Sequence, residues 1–266
     1  VFTDLKSQPD PYERAREILT RFKKEMAENR DVIAQALTAE EILRNDREGK
    51  MSALLTIEEG AVCQGSLERL HEFYNEGVRM MTLTWNYPND LAWPNRMDLQ
   101  TGHMTSETER GLTEKGIAFI EEMEKLGMLI DVSHLGDAGF WDIVKHTRKP
   151  FMASHSNARS EAGHVRNLTD EMIRALADRG GVMGINFCGV FLSELNGNST
   201  DEGVSRVSDM VRHMKHIRQI GGIECIGLGS DFDGISGELE VDSPAALYKI
   251  ADEMSCQGFT ESEIDA

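Results

Sequence analysis

The chain has 266 residues, 40% apolar and 28% charged, with 46 acidic against 28 basic side chains and a formal net charge of −18. Such a length holds one large domain or two small ones, and these fractions belong to a globular protein and not to a disordered one. The acidity is spread over helix faces such as FIEEMEKLG, so it reads as solvated surface and argues against nucleic acid and anionic membranes as partners.

Residues 11–50 read as helical and charged, with no convincing strand. MSALLTI (51–57) is the first clear strand and ends at Glu58 and Glu59. SLERLHEFYNEG follows as a helix with Leu67, Leu70, Phe73 and Tyr74 on one face and Gly77 at its C-terminal cap. VRMMTLT (78–84) is the next strand, and a long polar loop runs from it to about residue 111. TEKGIAFIEEMEKLG is a helix capped by Thr113 and closed by Gly127, with Ile117, Ile120 and Met123 as its stripe. MLIDVSH, PFMASHS, GVMGINF and CIGLGSDFDG are further strands, each apolar before a polar end, and helices fall near 137–147, 169–179 and 204–220.

Continuously apolar strands alternating with amphipathic helices predict a parallel sheet covered by helices, an α/β protein. No glycine-rich phosphate loop follows the first strand, which disfavours a nucleotide-binding open sheet. Glu58, Asn86, His134, His155, Asn186 and Asp231 all stand at or just past C-terminal strand ends, the face that carries the active site in a (β/α)8 barrel. A barrel is therefore expected over residues 1–266 as one domain. Six strands are two short of eight, so N-terminal strands and a closing C-terminal helix are expected to lie outside this chain.

Cys63, Cys188, Cys225 and Cys256 are far apart among mostly apolar neighbours and read as buried reduced thiols, which fits the cytoplasm. No run approaches the ~20 apolar residues of a membrane span. The opening VFTDLKSQPDPYERAR reads as the middle of a protein, so the lack of a leader there decides little about export.

Of the eight histidines, His71, His146, His213 and His216 sit in helices among charged neighbours and read as solvated surface. His134 and His155 differ, because each ends an apolar run in successive strand–helix units. Parallel strands lie about 4.8 Å apart, so such ends can share a metal ion, and imidazole with carboxylate suits zinc or a similar divalent ion. Glu58 and Glu59 both qualify as the carboxylate, since an acid ending a buried strand needs a partner. Asp231 and Asp233 of GLGSDFDG do not form a calcium loop, the glycine being two positions early; Asp231 is placed to move a proton or hold a cationic group. Arg166 is either a surface ion pair or a bidentate carboxylate clamp. His103 and His164, in polar loops, are weak candidates. No nucleophile elbow or activated cysteine is present, which leaves a metal-activated water.

LLTIEEG, FYNEGVRMMTLTWN, LIDVSH, FMASHSNAR, VRNLTDE and GLGSDFDG, in this order, resemble the membrane (renal) dipeptidase family over about residues 51–235. The resemblance implies a dinuclear zinc dipeptidase on an amidohydrolase-like (β/α)8 barrel, in which a metal-bridging hydroxide attacks the peptide carbonyl. It implies Glu58 as bridging ligand, His134 and His155 as ligands of the second zinc, Arg166 on the substrate's C-terminal carboxylate, and Asp231 in proton transfer and amine binding. Two departures stand out. The H-x-D pair of the first zinc site is absent, and the substrate-binding histidine after the LTL strand is Trp85, which with Asn86 is expected to touch substrate. The expected function is a bacterial-type dipeptidase, possible as a homodimer, acting on dipeptides or similar small amides. The alternatives are an amidohydrolase for a lactam or N-acyl amino acid, and a non-catalytic metal- or peptide-binding relative.

Overall fold

A strand covered by helices on a closed or strongly curved sheet buries both faces, so its residues need no polar alternation. In the computed structural model, which describes residues 1–7, 10–98, 100–193 and 203–266, six such strands form one parallel sheet. In chain order the elements are α1 (Pro11–Glu28), β1 (Ile33–Gln35), α2 (Ala39–Arg47), β2 (Met51–Ala53), β3 (Leu55–Glu58), α3 (Leu67–Asn75) and β4 (Val78–Thr82). Then follow β5 (Arg96–Met97), β6 (Met104–Thr105), α4 (Glu114–Leu126), β7 (Leu129–Asp131), α5 (Asp137–His146), β8 (Met152–Ala153), α6 (Asp170–Ala177) and β9 (Val182–Ile185). The last are α7 (Gly189–Leu192), β10 (Val204–Ser205), α8 (Val207–Gly221), β11 (Ile226–Leu228), β12 (Glu238–Leu239), α9 (Tyr248–Cys256) and α10 (Glu261–Ile264).

The sheet order β11-β9-β8-β7-β4-β3 follows the chain, every pairing being parallel. A sheet wound in one direction, strand beside next strand, has the order of a β/α barrel and not of a doubly wound fold. Phe2 adds a parallel bridge to Glu58 at the β3 edge. The predicted strand 51–57 is divided at Leu54: β2 pairs with β1 outside the main sheet, and only β3 joins it. β1 was not expected, since its three residues Ile-Ala-Gln are all half-buried and carry no apolar run. The loop after β4 holds the antiparallel pair β5–β6, and the helix expected from 204 begins only at Val207, after β10.

The apolar stripes face the sheet, with a shift from expectation: in α4 Ile117 is only half-buried and Phe119 takes its place, and in α3 Leu67 and Tyr74 are half-buried. Leu70 and Phe73 of α3, Phe119, Ile120 and Met123 of α4, and Phe140 and Ile143 of α5 are buried against Ile57, Met81 and Ile130. Each fully buried side chain of this size contributes about 1.5–3 kcal/mol. Thr113 and Thr169 cap α4 and α6 by accepting the Gly116 and Met172 N–H groups, and Gly127 ends α4 at φ 73°. At Gly229 a Cβ would collide with the Ser154 carbonyl and the Gly184 backbone. Bare glycine there lets β8, β9 and β11 converge at their C-terminal ends, where the polar residues stand.

Two expectations need correction. Cys256 is exposed, while Cys63, Cys188 and Cys225 are buried; all four are free. In α9 the core-facing residues are Ile250 and Met254, so Cys256 points away. His213 is not surface: it is fully buried, its Nδ1 accepting the Ala158 N–H at 3.1 Å and its Nε2–H donating to Leu192 O at 3.2 Å. Only the neutral imidazole satisfies both bonds, and burial holds its pKa down to about 4. The unfolded chain thus binds a proton that the folded one refuses, so stability is full above about pH 6.5 and falls toward pH 4 by roughly 3 kcal/mol. His213→Gln is expected to flatten that acid limb in urea titrations run at several pH values. Among the described residues no helix is long and apolar enough to cross a membrane.

Candidate metal centre

Glu58 is the last residue of β3, and His134 and His155 follow β7 and β8 closely. Their ligand atoms lie within 4.8 Å of one another. Glu58 Oε1 is 3.2 Å from His134 Nε2 and 3.5 Å from His155 Nε2, and the two Nε2 atoms are 2.9 Å apart. β7 stops at Asp131, short of the predicted run to His134, because the Asp131 carboxylate accepts the Ser133 N–H at 3.0 Å and turns the chain. His134 then takes φ 68°, a left-handed conformation rare outside glycine and typical of constrained functional positions.

The outer nitrogens assign the tautomers. His134 Nδ1–H donates to Asn86 Oδ1 at 3.0 Å. Ser154 Oγ–H donates to Asp131 Oδ2 at 2.6 Å and therefore accepts the His155 Nδ1–H at 2.7 Å. Both Nε2 atoms thus present lone pairs, toward each other and toward a carboxylate oxygen. Three acceptors facing one point repel unless a cation sits among them, and two neutral imidazoles with a carboxylate are a zinc-type donor set. Burial, with the Arg166 charge, pushes both histidines below their ordinary pKa; His134 also lowers His155. They are held in the neutral form that binds metal.

Behind the ligands stands Asp131, fully buried. Besides Ser133 N and Ser154 Oγ it accepts Thr82 Oγ1 at 2.6 Å and the Ser154 N–H at 2.8 Å. Burial alone would raise its pKa, but His155 and the Ser154 and Thr82 bonds outweigh it and keep the group below the usual range. A buried carboxylate bonded to a ligating histidine through a serine fixes ring orientation and basicity.

Glu59 faces the other way. Fully buried at φ 107°, it accepts the Ala61 N–H at 2.9 Å, the Trp85 N–H at 3.0 Å and Asn89 Nδ2 at 2.5 Å. It ties the turn after β3 to the turn after β4. Burial raises its pKa against those bonds. Glu58, not Glu59, meets the histidines.

The ligand cluster lies on a cavity of about 450 Å³ lined by Glu58, His134, Arg166 and Asp231. Trp85 and Asn86 also line it, as do Asp233 and the buried His164. His103 is exposed and outside it. Arg166 is 4% exposed, yet among the described residues its guanidinium makes only long bonds, to Ser156 Oγ at 3.5 Å and His155 O at 3.4 Å, and lies 5.5 Å from the Phe191 ring. His164 Nδ1 accepts the Arg166 N–H at 3.1 Å. The loop carrying both is pinned by Arg159, which grips Asp137 with two 2.8 Å bonds and donates to Val165 O and Asn167 O. Asp231, at φ 60°, accepts Asn186 Nδ2 at 3.2 Å. A Cβ at Gly234 would collide with the Asp231 carboxylate, so the glycine of DFDG leaves it room.

A family profile described as Membrane dipeptidase (Peptidase family M19) matches residues 1–266. The chain belongs to this family. An uncharacterised protein of the pqqA 5′ region of Klebsiella pneumoniae is 33% identical over 263 residues, covering 96% of this chain and 92% of that protein. An uncharacterised dipeptidase of Schizosaccharomyces pombe is 35% identical over 187 residues, or 70% of this chain, which spans 42% of that protein. A metallopeptidase from Rhodobacter sphaeroides, solved with a phosphinate mimic of the dipeptide L-Ala-D-Ala, superposes with TM-score 0.84 at 25% identity, covering 99% of this chain and 72% of that one. A solved dipeptidase AC gives the same TM-score and identity over 94% of this chain and 72% of its own. The fold is therefore the TIM-barrel-like α/β fold of the membrane dipeptidases.

Strand ends alone do not point to Asp131, Ser154, Thr82 or Arg159. Asp131 carried a visible signal: it is a carboxylate inside the apolar run LID, as costly there as Glu58. The others become visible only when strands 20 to 50 residues apart are laid side by side.

Proposed function

We propose that the chain forms the catalytic site of a zinc-dependent dipeptidase. The convergence of three lone-pair donors, Glu58, His134 and His155, the first two lining a cavity that also holds a buried, weakly bonded arginine, supports this reading. An ion held by those three side chains would polarise the scissile carbonyl and acidify a water molecule. Arg166 binds the free C-terminal carboxylate of the substrate, the one group able to take both arms of its guanidinium. Asp231 takes the proton of the attacking water and returns it to the leaving amine. Burial raises its pKa, with His155 opposing and Glu58 assisting, which brings it toward a range suited to both roles. Asn86 holds His134 in its ligating tautomer, and Trp85 walls the substrate cavity. The four free cysteines fit a reducing cytoplasm.

Trp85 favours a second reading, an amidohydrolase for N-acyl amino acids, because an apolar wall suits an acyl group as well as an aminoacyl one. Zinc-loaded protein assayed on dipeptides, tripeptides and N-acetyl amino acids separates the two. Dipeptides are expected to be cleaved at least ~10²-fold faster than N-acetyl amino acids, which carry the carboxylate that Arg166 takes but lack the ammonium group that Asp231 would hold. Equal rates on N-acetyl amino acids would transfer the site to the second reading. Bound zinc without turnover of any amide would leave a binding protein.

A further inference from the structure

Two arginines stand in the loop between β8 and α6, and they use their donors in opposite ways. Arg166 lines the cavity and, among the described residues, its guanidinium makes only long bonds. Arg159 has an acceptor for each of its five N–H groups. Nη1 and Nη2 each donate to one oxygen of Asp137 at 2.8 Å, and Nη2 also donates to Val165 O at 3.0 Å. Nε donates to Asn167 O at 2.8 Å, and Nη1 reaches Ser106 Oγ at 3.4 Å. The Arg159 and Asp137 side chains are 19% and 15% exposed, so their two-pronged contact is largely desolvated and holds more firmly than a surface ion pair.

Val165 O and Asn167 O lie on either side of Arg166 in the chain. The Arg166 N–H donates to His164 Nδ1 at 3.1 Å and the Asn167 N–H to His164 O at 3.0 Å, so both peptide units of Arg166 are tied. At the other end of the contact, Asp137 opens α5, three positions after the ligand His134. Arg159 therefore joins the backbone that carries Arg166 to the backbone that carries His134. We infer that Arg159 and Asp137 form a clamp that sets where the Arg166 guanidinium stands relative to the metal ligands, and so governs affinity for a free C-terminal carboxylate. This rests on Arg166 being the group that binds that carboxylate. Arg159 and Asp137 are positioning residues that act through it. Without the clamp the loop can shift against α5, and a misplacement of about 1 Å can cost about 10²-fold in a site that works by fit. His134 and His155 are oriented separately, by Asn86 and Ser154.

The test is calorimetric binding, to the zinc-loaded protein, of a phosphinate analogue of Ala-Ala and of the same analogue with its C-terminal carboxylate converted to the amide. Arg159→Ala is expected to keep the parent's zinc content and to bind the carboxylate analogue about 10- to 10²-fold more weakly, with the amide analogue unchanged. Asp137→Asn keeps the side chain's shape and one acceptor oxygen. It should act in the same direction by less, and it carries the test if Arg159→Ala does not fold. In an Arg166→Ala background neither change should weaken binding further, because the contact they position is already gone. Loss of zinc, equal weakening of both analogues, or an effect that persists in full without Arg166 would make Arg159 a general support of the fold and overturn the clamp. Unchanged affinity in both variants, with Arg166→Ala still weakening the carboxylate analogue, overturns the clamp and leaves the reading of Arg166 standing. If Arg166→Ala has no effect on that analogue, the two fall together. Analogues that bind in the expected pattern without any dipeptide being cleaved would support the clamp and refute the peptidase reading alone.

Discussion

His155→Ala protein is expected to retain no stoichiometric zinc after dialysis, and its dipeptidase activity should fall by about 10³-fold or more, since an unactivated water replaces an acidified one. His155 makes the closest approach to His134 Nε2, at 2.9 Å, and completes the only three-donor cluster found among the described residues. Two donors alone leave Glu58 and His134 to compete with water for the ion. Metal per chain, counted by mass spectrometry beside the parent protein, reads the outcome directly. Asp131→Asn is a finer probe of the same centre. It removes the charge behind the Ser154 relay and should weaken zinc binding by about 10–100-fold while leaving the first ligands in place. Competition with a chromogenic chelator measures that difference. If His155→Ala keeps one tightly bound zinc, the ion sits elsewhere and the centre described above is not its site.

How much of this centre was legible beforehand depends on how local each signal was. Glu58, His134, His155 and Asp231 each end an apolar run, so a pattern read over seven residues finds them, and the parallel sheet follows from the same runs. The strands are shorter than the apolar runs because side chains, not hydrophobicity, end them: Asp131 captures the Ser133 N–H and turns the chain three residues before the histidine. Hydrogen bonds between distant segments left no mark in any local window. Thr82 and Asp131 are 49 positions apart, and His213 bonds the Ala158 N–H from 55 positions away. For that reason His213 is buried where its neighbours predict surface. Charged neighbours along a helix describe its exposed face, whereas its buried face is decided by what packs on it, here the chain around Ala158 and Leu192. Glu59 shows the same limit: one residue from Glu58 and identical in kind, it is directed inward by a backbone φ of 107°.

Arg166→Ala should raise KM for dipeptides by roughly 10²-fold or more, the loss expected when one member of a buried, charge-assisted pair is removed, and should change kcat much less. The free protein explains why the effect falls on binding. The guanidinium is buried without an ion-pair partner among the described residues, and its bonds there are long, at 3.4 and 3.5 Å, which leaves its best donors for the carboxylate that the proposed function assigns to it. Burial lowers its pKa, and Asp231, Asp131 and Glu58 offset that only through space. Such a residue costs stability in the empty site, so the alanine variant should melt within a few degrees of the parent, about the span that 1 kcal/mol covers in a domain of this size. Arg166→Lys tests geometry separately from charge. A lysine restores the positive charge but not the two-pronged contact, and its KM should remain well above that of the parent. A large loss of melting temperature with KM unchanged would make Arg166 a brace for the Phe191 wall, and the selection of free C-terminal carboxylates would then have to come from another group in the cavity.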